Sequence, residues 1–220
     1  MAASHGIGSS FHHGLWASPH RTPPFYPDAV TLAPGVPAAE VLTRVDTTSP
    51  GCSVKDSFSD LDLSGPGFAV LMEGSWLVRQ PGGPTNRAPW ERVRDAAGLR
   101  AWEAAWSWGR PGDDPLFRES LLARPEVVIV TATRGPDVVA GAVVSCSGAT
   151  VGLSNVFAVD GEDVAAHWSR CVAAATESFP GLPVVGWETG DHLPPALAAG
   201  FSRCGDLRVW MATSASGDPA

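Results

Sequence analysis

The sequence predicts an α/β protein in which a mixed, mostly antiparallel central sheet is flanked by helices, with a small β/α extension ahead of it. Three observations carry this prediction. The β-rich runs EVVIVTAT, DVVAGAVVSC and TVGLSNVFAV are separated by Arg134-Gly135-Pro136-Asp137 and Ser147-Gly148-Ala149, the turn chemistry of an antiparallel meander. GEDVAAHWSRCVAAATESF then has helical periodicity and is closed by Pro180-Gly181. Finally, Pro183 to Met211 reads as an apolar strand, a short helix, the turn Gly200-Phe201 and a closing strand.

The remaining elements follow in chain order. Residues 1–27 are rich in Gly, Ser, His and Pro without periodicity, which predicts a mobile arm. DAVTLAP predicts a short strand, and Pro37 suits the first turn of a helix over AAEVLTRV. Val54, Phe58, Leu61 and Leu63 fit neither period, and the acidic run around them, Lys55 to Asp62, reads as a solvated strand edge or an attractor of cations. GFAVLMEGSWLV is a strand between glycine–proline punctuation. From Pro89 the period becomes helical, with Trp90, Val93, Ala97, Trp102, Ala105 and Trp106 sharing a face. LFRESLLA supplies a further short helix, and residues 214–220 predict a fraying tail. The organisation expected is an arm over 1–27, an extension over 28–64, a main domain over 65–213 and the tail.

Composition narrows function. A formal charge of −8 without a basic stretch argues against nucleic acid or an anionic membrane as partner. No apolar run approaches a membrane span, and the N-terminus lacks the basic start and apolar core of a secretory signal, so the expected address is the cytoplasm. Cys52, Cys146, Cys171 and Cys204 are widely spaced and read as reduced thiols. Four histidines in the first twenty residues lack metal-site spacing, and no metal is expected. Nucleophile-elbow, phosphate-loop and zinc-protease motifs are absent.

From about Gly67 the order of strand, two helices, three antiparallel strands, helix, strand, helix and strand, with its Gly200-Phe201 turn, resembles the GCN5-related N-acetyltransferase superfamily. That resemblance implies acetyl-coenzyme A as cosubstrate in a cleft where two central strands splay. Pantetheine would pair with the strand Leu153–Val159, so Ser154, Asn155, Val156, Phe157 and Ala158 are implied cofactor contacts, followed by Gly161 and Val164 where the family binds pyrophosphate at a helix start. Here that place reads Asp160-Gly161-Glu162-Asp163-Val164: one glycine remains, the family's basic residue is missing, and three carboxylates occupy the first turn. Acidic residues there cap a bare helix well and oppose a pyrophosphate. The family's usual tyrosine acid falls at Ala196.

Glu188 and His192, after the penultimate strand, are the catalytic candidates: Glu188 as base if burial raises its pKa, His192 as acid. Asp191 reads as a helix cap, and Ser154 with Asn155 reads equally as a ligand contact or a satisfied polar pair. Trp90, Trp102, Trp106, Trp187 and Trp210 read as core residues, the last two on adjacent strands, whereas Trp76 and Trp108 are candidates to line an acceptor pocket. The acceptor implied is the amine of a small molecule, and a homodimer is compatible with the sequence. The alternative reading is a module of the same fold that has lost the cofactor and binds another metabolite or a partner chain.

Overall fold

The computed structural model describes residues 1–82, 90–109 and 114–213. The chain forms β1 (Ser10–His12), β2 (Leu15–Ala17), β3 (Ala29–Thr31), α1 (Ala38–Leu42), β4 (Ser53–Asp56), β5 (Phe68–Arg79) and β6 (Glu91–Arg92). It continues through α2 (Ala96–Trp106), β7 (Val127–Arg134), β8 (Asp137–Ser147), β9 (Thr150–Ala158), α3 (Val164–Ser178), β10 (Val184–Glu188), α4 (Leu193–Ala198) and β11 (Ser202–Ala212). The mixed, mostly antiparallel sheet with flanking helices matches the expectation. Two compact units share these elements, Met1–Gly74 with Gly205–Ala220, and Ser75–Cys204.

In the first unit the strand order is β1-β2-β3-β4-β11, antiparallel except for β3 with β4. Residues 1–27 therefore contain two paired strands, with Leu15 and Ala17 in a core that also takes in Val41, Val54, Leu63 and Trp210. The expected mobile arm is overturned. Polar composition hid it, because these strands are only three residues long, and the segment between β2 and β3 is tied down by one carboxylate. Asp28, 1% exposed, ion-pairs with Arg21 and accepts hydrogen bonds from Thr22 N at 2.7 Å and Ser53 N at 3.0 Å. Arg21 also donates to the carbonyls of Asp46 and Ser49 at 2.7 and 2.8 Å. The acidic run is corrected only at Asp56, which is fully buried and accepts from Phe58 N and Leu61 N, closing a turn; Asp60 and Asp62 are exposed. The tail expected over 214–220 lies outside the described residues.

In the second unit the order is β5-β10-β9-β8-β7-β6, and only β9 with β10 is parallel. The meander β7–β8–β9 matches expectation. The helix predicted from Pro89 does not begin there: Trp90 and Val93 flank β6, an edge strand pairing with β7, and the helix starts at Ala96, where Asp95 caps Gly98 N at 2.8 Å. Apolar residues at 90 and 93 have helical spacing, yet Glu91 and Arg92 between them pair with β7, and Val93 N donates to Ile129 O at 2.9 Å. LFRESLLA contributes a 3-10 turn over Glu119–Ala123.

One sheet face presents Leu77, Ala142, Val144 and Leu153 to Trp168, Cys171 and Ala175 of α3 and to Ala196 and Phe201. The other presents Gly141 and Phe157 to α2. There Trp102, fully buried, donates from Nε1 to Val130 O at 2.9 Å and meets Phe157 edge-on at 5.2 Å. The Gly200-Phe201 turn is held by Arg79, whose Nε donates to Ala199 O at 3.2 Å, while Gly200 takes φ +91°. Phe201 packs edge-on against Trp168 at 5.6 Å.

Gly141 is the tightest of these contacts, since a Cβ there would fall 2.1 Å from Trp102 Nε1 and 2.7 Å from Val130 O. Gly141→Ala is expected to expel the indole and orphan its N–H, costing about 2–4 kcal/mol of stability. Urea unfolding followed by circular dichroism measures it.

Candidate functional site

A parting of strands makes the site. β9 and β10 pair only at Val151–Val184 and Gly152–Val185. Gly186 still lies close to β9, because a Cβ on it would come within 2.8 Å of Leu153 O. Beyond this point no further residue of β9 pairs with β10, although β9 continues to Ala158 and β10 to Glu188.

The cause lies in β9 itself. Its register with β8 runs Val144–Leu153 and Val143–Ser154, then resumes at Gly141–Phe157, so Asn155 and Val156 together oppose Ala142. This is a β-bulge, and Asn155 occupies it with φ +52°, a left-handed conformation that asparagine tolerates better than most residues. The extra residue bends the strand and reverses its alternation. Leu153 and Val156 pack toward α3, and Phe157 is thrown to the face under α2. The edge Ser154–Ala158 thereby lacks a strand partner on the side of β10, leaving backbone donors and acceptors able to pair with an extended ligand.

The sequence-predicted contacts divide accordingly. Ser154 is exposed and accepts a hydrogen bond from Asn155 Nδ2 at 3.2 Å, so these two side chains satisfy each other locally. The side chains of Phe157 and Val156 are engaged in packing, which leaves their backbone for a ligand. Gly161 turns the chain at φ +85° into α3, and Val164 opens that helix.

The three carboxylates at the start of α3 have different fates. Asp163 caps the helix, accepting from Ala166 N at 3.1 Å. Glu162 is ion-paired with Arg134 at the end of β7 and lies 3.4 Å from Nε2 of His167. Burial, then the neighbouring Arg170, holds His167 below its ordinary pKa range, so this contact is to a neutral imidazole near pH 7. Asp160 alone is exposed without a partner among the described residues. Arg134 was read from sequence as a turn residue only. It lies 28 residues from Glu162, and no local spacing announces such a pair.

On the other side of the parting, β10 carries Glu188 opposite Ser75 of β5. Burial pushes the Glu188 carboxyl up to about 7. His192 is exposed in a 3-10 turn over Gly190–His192, its N–H donating to Thr189 O at 3.3 Å. Neither that turn nor α4 has a side-chain cap, so the capping role expected of Asp191 is not made. Trp187 stands opposite Trp76 of β5, not beside Trp210, whose ring belongs to the core of the first unit. Trp108, 73% exposed, follows α2 with φ +51°. Among the described residues no three His, Cys, Asp or Glu side chains converge as a metal site would require, and no helix is long and apolar enough to cross a membrane.

No protein-family model matches the sequence, and no curated protein matches it. Solved structures do. A GCN5-related N-acetyltransferase from Kribbella flavida superposes with a TM-score of 0.68 at 14% identity, over 94% of this chain and 90% of that one. A conserved protein of unknown function from Staphylococcus epidermidis gives 0.65 at 9% identity, with 94% of each chain covered. A candidate acetyltransferase of the same family from Novosphingobium aromaticivorans gives 0.62 at 11%, over 94% and 92%. At such identities the likeness is one of fold: this chain has the fold of the GCN5-related N-acetyltransferases.

Because the folded chain holds the Glu188 proton up to about pH 7 while the unfolded chain releases it near 4.5, the native state binds more protons in that window. Stability should therefore fall as pH rises from about 4.5 to 7 and level off above it. Glu188→Gln is expected to match the parent at pH 4 and exceed it at pH 8 in urea midpoint, which paired denaturation curves would measure.

Proposed function

We propose that this chain, built on the fold of the GCN5-related N-acetyltransferases, is an acyltransferase that moves an acetyl group from acetyl-coenzyme A to the amine of a small molecule. The observation that carries the proposal is the open backbone edge of β9, created by the bulge at Asn155, with a half-buried carboxylate on β10.

The residues fit the cosubstrate in two respects. Backbone groups of Ser154–Ala158 are free on the β10 side to pair with the pantetheine amides. At α3, Glu162 is neutralised by Arg134 and Asp163 is spent as a cap, so the helix start is less acidic than its sequence. Asp160 opposes an anion there. The thioester supplies an activated acyl group, and this chain's residues must then position an amine and remove its proton. Glu188 is the proposed base: a carboxyl titrating near 7 accepts a proton from an ammonium or amine more readily than an ordinary carboxylate. His192, exposed on the turn that follows, is the proposed acid, in place of the tyrosine that Ala196 replaces. Much of the rate would come from holding both substrates in one orientation.

A second reading, a module that keeps the fold and binds a different ligand, is favoured by Asp160 and by Ala196, a fully buried methyl group that offers no proton.

Calorimetric titration with acetyl-coenzyme A separates the two. Micromolar binding is expected, and no binding at millimolar cofactor would remove the transferase reading. In an acetylation screen of small amines, rate should rise with pH through about 7 as Glu188 ionises. Glu188→Gln should lower kcat by about 10²–10⁴-fold and abolish that limb. Asp160→Asn should tighten the cofactor several-fold, since removing one like charge near the phosphates is worth roughly 1 kcal/mol. Unchanged affinity would place the pyrophosphate elsewhere.

A further inference from the structure

We propose a second ligand site, between β6 and the far end of α3, that takes a small molecule bearing a carboxylate on a flat apolar body. A cavity of about 680 Å³ lies there, lined by Trp90, Glu91, Arg92 and Arg94 on one side and by Ser178 and Phe179 on another. Its volume is within the range of small-molecule sites. It is separate from the parting of β9 and β10. That parting opens toward the start of α3, whereas Phe179 follows its last residue, and a 15-residue helix spans about 22 Å.

The short β6 strand and its flanks supply one wall: Trp90, Glu91, Arg92 and Arg94 all line the cavity, and Val93 between them is buried. Trp90 is held by its Nε1, which donates to Glu177 Oε2 at 3.2 Å. Phe179 packs against the core as well. The cavity thus has two fixed aromatic walls, suited to a planar apolar body.

The charge defines the rest of the ligand. Arg92, half-buried, spends one N–H on Val127 O at 3.3 Å, and Arg94 is exposed. Neither forms an ion pair among the described residues. Two arginines that line one cavity, neither ion-paired among the described residues, stand out in a chain of net charge −8. The α3 C-terminus, with its free carbonyls, explains why cations are tolerated nearby. It does not explain why they line a cavity with aromatic walls. A guanidinium fork matches a carboxylate bidentately. Glu91 on the same rim and Glu177 behind Trp90 disfavour a more highly charged anion, so a single carboxylate fits better than a phosphate.

The test uses the full chain with indole-3-carboxylate as probe, following the ¹⁵N side-chain resonances of Arg92, Arg94 and the Trp90 indole. Saturable shifts are expected with Kd below about 1 mM. In the double variant Arg92→Gln, Arg94→Gln, with circular dichroism and Tm unchanged, affinity should fall at least about tenfold. Indole-3-carboxamide, flat but neutral, should not saturate. Absence of saturable shifts up to about 10 mM, or equal binding by the double variant or by the carboxamide, would overturn the proposal. The measurement involves no acetyl-coenzyme A, so its outcome is independent of the transferase reading.

Discussion

The bulge at Asn155 and Val156 is the constraint on which the site depends. A parallel pair of strands that kept its register would consume the backbone groups of both partners and leave nothing for a ligand. Inserting one residue into β9 breaks that register on the β8 side, and with it the alternation of every side chain beyond. The strand retains β8, loses β10, and places Phe157 under Trp102. The energetic cost of an asparagine at positive φ is set against packing on both sheet faces, which over-determines the position. An open edge inside a folded sheet is thus stabilised by the core around it.

Charge at this edge is arranged by contacts that reach across the chain. The three carboxylates before α3 look from sequence like one repulsive cluster. In the fold one caps a backbone N–H, one is ion-paired with Arg134, and one has no partner among the described residues. Glu188 shows the opposite effect. Among the described residues no cation is brought to it, so desolvation raises its pKa and turns an ordinary strand-end glutamate into a group that exchanges protons near neutrality.

The first unit illustrates how little apolar pattern is needed when one buried carboxylate organises a segment. Asp28 ties together Arg21, Thr22 and Ser53, and Arg21 fastens the loop that carries Asp46 and Ser49. Removing water from a carboxylate is expensive, and the cost is offset only because every lone pair facing the interior meets a donor. Strands of three residues with polar neighbours have no legible period, so this segment reads as an arm until its partners are in place.

The sequence by itself determined the meander β7–β8–β9, helix α3 with its acidic cap, and the strand–helix–strand that ends at the Gly200-Phe201 turn. Those elements are set by interactions within a few residues: alternation, turn glycines and first-turn carboxylates. It also marked Glu188, because a strand end is visible in a local pattern. Tertiary structure alone decided that Trp90 and Val93 flank an edge strand, that residues 1–27 fold, that Arg134 answers Glu162, and that β9 leaves β10 after Gly152. Each of these depends on pairing between segments distant in the chain, where the partner supplies the energy and the local sequence carries no trace of it.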